Sequence, residues 1–160
     1  MDEKSLEDML FPVEPAQYGD RYPADFVALF DSFVESADRV SARRAQANSF
    51  FLTVNTLLVT AAGTVWELSD ASTNWFISLG GILFSIVWWA MIDSFRTLNS
   101  AKYAVINEIE TRLPIAAYRA EWALLKGRHK PLTTIEVAVP FAFMLLYAVA
   151  LVFGVVQRLG

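Results

Sequence analysis

Long apolar blocks alternate with charged stretches along the chain. Ala45 to Trp66, Ala71 to Ile92 and Val137 to Gln157 contain no Asp, Glu, Lys or Arg. At 1.5 Å per residue, a helix of about 21 or 22 residues spans roughly 32 Å, against a hydrocarbon core of about 30 Å. The buried helices of a soluble bundle keep a polar stripe, and charge-free runs of this length are rare in them. The pattern predicts an all-α membrane protein with three transmembrane helices, over 45–66, 71–92 and 135–157.

The flanking segments carry a different periodicity. From Pro23, the residues Phe26, Leu29, Phe30, Phe33, Val34, Ala37 and Val40 recur at i, i+3, i+4, i+7 spacing, which predicts an amphipathic helix over 23–44. Its polar side includes Glu35 and Arg39 at the favourable i, i+4 spacing. Neither Gly nor Pro interrupts the chain between Pro23 and Gly63, so this helix is expected to run directly into the first span. The second span is expected to do the same, because Ile92, Phe95, Leu98, Val105, Ile106, Ile109 and Leu113 continue an apolar stripe up to Pro114. The first two transmembrane helices therefore extend into a helical layer outside the bilayer, and segment 93–132 belongs to it. Their apolar faces must be covered by each other or by other subunits.

Three shorter signals complete the organisation. Pro114 to Lys126, bounded by Pro and by Gly127, reads as a short helix. Thr133-Thr134-Ile135-Glu136 has the form of a capping box opening the third span; Pro140 either bends that span or is accommodated in its first turns. Residues 1–22, with Pro12, Pro15 and Gly19 among acids, read as a flexible acidic arm.

Charge sets the expected orientation. Arg39, Arg43 and Arg44 precede the first span, while Glu67 to Asn74 has two acids and no base. The segment after the second span carries Arg96, Lys102, Arg112, Arg119, Lys126, Arg128 and Lys130. The positive-inside rule places the N-terminus and this layer in the cytoplasm and the C-terminus outside. No cleavable signal is visible in the acidic first 20 residues. The formal charge of −4 supplies no basic field for nucleic acid, and the absence of cysteine excludes disulfides and thiolate metal sites.

Catalytic patterns are lacking: there is one histidine, no glycine-rich phosphate loop and no HExxH, GxSxG or CxxC. No enzyme activity, cofactor or metal site is expected, and His129, between Arg128 and Lys130, reads as a solvated turn residue. Glu136 is a helix cap or an ion-handling carboxylate at the membrane edge. Asn48 and Asn55, one heptad apart, point to one side of the first span, and Thr53, Thr56, Thr60 and Thr64 form a second polar stripe. Threonine can bond back to its own helix, whereas a buried asparagine amide needs a partner on another helix, a water or a pore axis. Ser78, Gly81 and Ser85 on the second span, and Ala150 and Gly154 on the third, allow close helix approach. The five tryptophans, Trp66, Trp75, Trp88, Trp89 and Trp122, read as interface anchors and packing.

The linked stretches ESADRVSARRAQANSFFLTVNTLL, VINEIETRLPIAAYRAEWALLKG and PLTTIEVAVPFAF resemble the RipA-like octameric membrane proteins of bacteria, over about Ser32 to Phe143. The resemblance implies a small inner-membrane protein that assembles as a homo-octamer, with no enzymatic activity and no catalytic residues. Two functions follow as expectations: a ring-like assembly with a cytoplasmic crown, with or without a conducting axis, or a membrane-anchored adaptor recruiting a protein partner.

Overall fold

A computed structural model describes the backbone over 3–66, 71–125 and 132–159, and side chains over 6–64, 75–125 and 135–157. The described residues form helices α1 (Glu3–Leu10), α2 (Pro15–Tyr18), α3 (Tyr22–Trp66), α4 (Ala71–Ile109), α5 (Ala117–Leu125) and α6 (Leu132–Leu159), with a 3-10 turn at Glu110–Arg112. His129, the link at Glu67 to Asp70 and the side chains of Trp66 and Thr133 lie outside the described residues.

α3 runs unbroken for 45 residues and α4 for 39, because neither contains an interior Pro. Among the described residues, the stretches Trp75–Arg112 and Ile135–Gln157 are long and apolar enough to cross a membrane. Gln46, Asn48, Asn55 and four threonines make the Ala45 to Trp66 part of α3 more polar than the other two charge-free runs.

The chain divides into two units. The first comprises Met1–Ala42 and Thr97–Lys130, the second Arg43–Arg96 and Pro131–Gly160. The second unit contains few charged residues, namely Arg43, Arg44, Glu67, Asp70, Asp93, Arg96, Glu136 and Arg158, so the remainder of the chain's charge lies in the first.

In the first unit, Ala37 and Val40 of α3 and Ile106 of α4 are buried. Polar contacts join the two helices: Asn99 Nδ2 donates to Ser41 Oγ at 3.2 Å, and Lys102 Nζ donates to Ser36 Oγ at 2.7 Å while lying 4.9 Å from the Phe33 ring centre. The N-terminal segment, expected as a flexible arm, holds α1 and α2 and makes specific contacts. Arg112 stacks on Phe11 at 3.6 Å and donates to Glu7 at 3.1 Å, and Phe11 stacks on Phe26.

α5 starts at Ala117, three residues beyond the Pro114 that the sequence suggested as its opening. The reason is Glu110. Its side chain, 2 % exposed, accepts from the backbone amides of Tyr118 at 2.9 Å and Arg119 at 3.0 Å, which satisfies two of the N-terminal donors every helix leaves open.

Candidate functional site

In the second unit, α3, α4 and α6 each present a heptad-spaced stripe to one another: Arg44, Asn48, Phe51 and Asn55; Ser78, Gly81, Ser85, Trp88 and Ile92; Glu136, Pro140, Phe143 and Tyr147. Alternating steps of four and three residues keep one helical face turned inward, as in left-handed bundle packing. Phe51, Trp88 and Ile92 form the buried apolar centre, with Phe84, Val137, Val139 and Phe143 packed against it. Phe51 and Trp88 stack with ring centres 5.8 Å apart and planes only 8° from parallel.

Around this centre lie polar contacts that tie the helices in pairs. Trp88 Nε1 donates to Asn48 Oδ1 at 3.0 Å, and Ser85 Oγ donates to Asn55 Oδ1 at 3.2 Å; both join α3 to α4. Asn55 Nδ2 turns back to the Phe51 carbonyl at 2.9 Å, and the Asn55 carbonyl accepts from Tyr147 Oη of α6 at 3.2 Å. Asn55 is fully buried within its own copy, at 0 % exposure. Its side-chain amide is paired through both Oδ1 and Nδ2, which removes the penalty of an unpaired polar group in an apolar setting.

Gly81 and Tyr147 meet closely. A Cβ at Gly81 would fall 2.5 Å from the Tyr147 ring, so only glycine lets the ring lie against α4 and reach the Asn55 carbonyl. Gly80, one residue earlier, has nothing within 4 Å of the equivalent position. The spacing of Ser78, Gly81 and Ser85 marked this face of α4; Tyr147, the residue that needs it, carried no signal in the sequence.

At the charged end of the unit, Arg44 pairs with Glu136, their side chains 15 % and 20 % exposed. The sequence suggested Glu136 as a helix cap or an ion-handling carboxylate; it is the fifth residue of α6, which starts at Leu132, and its partner is the Arg44 guanidinium. Pro140 lies inside α6 and is fully buried; lacking an N–H, it cannot donate to the Glu136 carbonyl. An open cavity of about 170 Å³ lies beside the pair, lined by Asn48, Ser49, Leu52, Trp88, Glu136 and Val139.

The threonines behave differently from the asparagines. Thr53, Thr56 and Thr60 are exposed and donate to the carbonyls of Ser49, Leu52 and Thr56, so their hydroxyls are satisfied within α3. Asn48, Asn55 and Glu136 are thus brought together on the inner stripes, and the threonines are not. Among the described residues, no group of three or more His, Cys, Asp or Glu is placed to hold a metal. The arrangement offers helix registration.

A family model described as the octameric membrane protein family (8xMP) matches residues 27–156. No curated protein and no solved structure matches the chain.

Proposed function

This chain belongs to the octameric membrane protein family, and on that premise we propose that it is a non-catalytic homo-octamer built from three-span protomers in the bacterial inner membrane. Membership makes it a self-associating helical membrane protein. The reading adds that α3 crosses the membrane beside α4 and α6, that the charged first unit is the cytoplasmic crown, and that the C-terminus lies outside.

The observation that carries the three-span reading is the attachment of Asn55. Through its amide and carbonyl it is bonded to both helices of the second unit that are apolar enough to span. A helix wedged so between two spans shares their environment, and its amides are satisfied without water.

The same contacts favour a sealed assembly over a conduit. An amide lining a water-filled axis keeps hydrogen-bonding capacity toward that axis, whereas the Asn55 side chain is directed into its own copy. The cargo-free reading follows: the assembly holds eight first units in one array at the membrane.

Native mass spectrometry of the purified protein tests the assembly, with eight copies expected and a stable monomer overturning it. Planar-bilayer recording tests the sealed axis. A steady conductance altered by Asn55→Leu would refute it. Because the natural sequence has no cysteine, single-cysteine labelling at Ser41 and at Gly160 reads the orientation directly, with Ser41→Cys expected to react from the cytoplasmic side alone.

A further inference from the structure

The cavity of about 170 Å³ in the second unit is shared by three helices: Asn48, Ser49 and Leu52 come from α3, Trp88 from α4, and Glu136 and Val139 from α6. Its volume is far above the roughly 10–15 Å³ that admits one water. Its lining is ordered along the helices. Glu136, with Asn48 and Ser49 one turn in from Arg44, forms a polar end where the charge-free runs of α3 and α6 begin. Leu52, Val139 and Trp88 supply an apolar wall, with Leu52 roughly 12 Å inward from Arg44 by helical rise.

The protein does not satisfy the polar end. Asn48 Oδ1 accepts from Trp88 Nε1, yet among the described residues the two N–H groups of Asn48 Nδ2 and the Ser49 hydroxyl have no acceptor. Thr53, Thr56 and Thr60 on the same helix all donate to their own backbone; Ser49 does not. Glu136 meets Arg44 through Oε2, and a carboxylate so engaged keeps accepting capacity on its other oxygen. Donors for an anionic oxygen and an acceptor for a cation therefore converge at one end of an otherwise apolar cleft, which is the form of a small-ligand site. Water would pair the donors but leave Leu52, Val139 and Trp88 wet. A lipid covers both ends.

We infer that this cavity holds one phospholipid per copy whose headgroup is a zwitterion with a primary ammonium, as in phosphatidylethanolamine. Asn48 Nδ2 and Ser49 Oγ donate to its phosphate oxygens, its ammonium donates to Glu136, and an acyl chain runs along Leu52 and Val139. The primary ammonium is specified because a quaternary one has no N–H to give Glu136. A headgroup of zero net charge also matches the zero net charge of the Arg44–Glu136 pair. The inference rests on the proposed three-span reading, which places this end of the second unit in the cytoplasmic leaflet.

The test uses the full chain in nanodiscs of equimolar phosphatidylethanolamine and phosphatidylcholine with chains of distinguishable mass, and native mass spectrometry counts the lipid that stays bound. Wild type should retain one lipid per copy, with the ethanolamine form favoured about tenfold, the scale of one charge-assisted hydrogen bond. Asn48→Asp keeps the acceptor for the Trp88 indole and replaces both N–H donors with negative charge; combined with Ser49→Ala it should lower retention about tenfold. Leu52→Trp, at a side chain 47 % exposed, adds bulk on the cavity wall outside the buried core and should lower retention as well. Val149→Ala with Val152→Ala, at exposed positions of α6, should change nothing, which separates cavity lipid from lipid around the protein.

Circular dichroism checks that each variant keeps its helicity, and the headgroup comparison on wild type needs no variant. Equal retention of the two headgroups, retention indifferent to the cavity substitutions, or an octamer that carries no lipid each overturns the inference. All three leave the three-span reading standing; that reading fails instead if single cysteines at Ser41 and Gly160 label from the same side.

Discussion

Replacing Gly81 with alanine adds one methyl group where the structure leaves no room for it. The new Cβ would fall 2.5 to 2.6 Å from three atoms of the Tyr147 ring, whereas carbon atoms rest at about 3.5–4.0 Å. The ring must withdraw by roughly 1 Å. It is 1 % exposed and is packed near Phe143, with ring centres 6.4 Å apart, so it cannot swing out to solvent. Overpacking of this kind costs about 1–3 kcal/mol. Retreat of the ring also weakens the Tyr147 bond to the Asn55 carbonyl, worth about 0.6 kcal/mol by the average for such contacts in membranes. Alanine's better helix propensity returns up to about 1 kcal/mol. The net expectation is a loss of about 1–2 kcal/mol. Gly80→Ala, with open space at its Cβ, keeps the propensity gain without the clash and should be neutral or slightly stabilising. Equilibrium unfolding in mixed micelles, followed by tryptophan fluorescence, measures both. The double variant Gly81→Ala with Tyr147→Ala should lose less than the two single variants together, because removing the ring removes the collision. Equal stability of Gly81→Ala and Gly80→Ala would refute the reasoning.

Asn55→Leu should cost about 1 kcal/mol of protomer stability, since it leaves the Ser85 hydroxyl and the helix contact without their partner, yet it should not dissociate the assembly; unfolding and native mass spectrometry separate the two effects. Glu136→Gln should destabilise by about 1–2 kcal/mol, less than a fully buried pair would lose because both side chains are partly exposed, and a double-mutant cycle with Arg44→Gln should recover part of it. Glu110→Gln should weaken the start of α5 by about 1 kcal/mol, visible as faster hydrogen exchange at the Tyr118 and Arg119 amides with the rest of the first unit unchanged. Burial, followed by the negative field of Asp38, Glu110 and Glu121, holds the Tyr118 phenol above its ordinary value of 10.0. Its contribution to stability is therefore complete below about pH 10 and is lost as pH rises from there through the raised value; absorbance titration of wild type against Tyr118→Phe should show one late-ionising tyrosine removed.

The apolar runs made helices of this length unavoidable, and the absence of interior Pro made α3 and α4 continuous. Both follow from local chemistry: backbone groups in a charge-free stretch must bond within the helix, and 3.6-residue spacing decides which side chains share a face. The odd placement of Asn48 and Asn55 was equally legible, as was the small-residue face of α4. Their destinations were not. A heptad spacing puts two asparagines on one side of a helix without saying whether that side meets a lumen or a neighbour.

Only the tertiary structure decided that Asn48 takes the Trp88 indole, that Asn55 takes Ser85 and Tyr147, and that Glu136 reaches Arg44, 92 positions away. The same holds for Glu110, an acid in an unremarkable stretch that turns out to cap α5, and for the N-terminal segment, whose Glu7 and Phe11 meet Arg112 far along the chain. Periodicity is a property of one helix and can be read from it alone. Pairing depends on which faces of separate helices meet and in what register, and that is fixed by the packing of Phe51, Trp88, Gly81 and Tyr147 together.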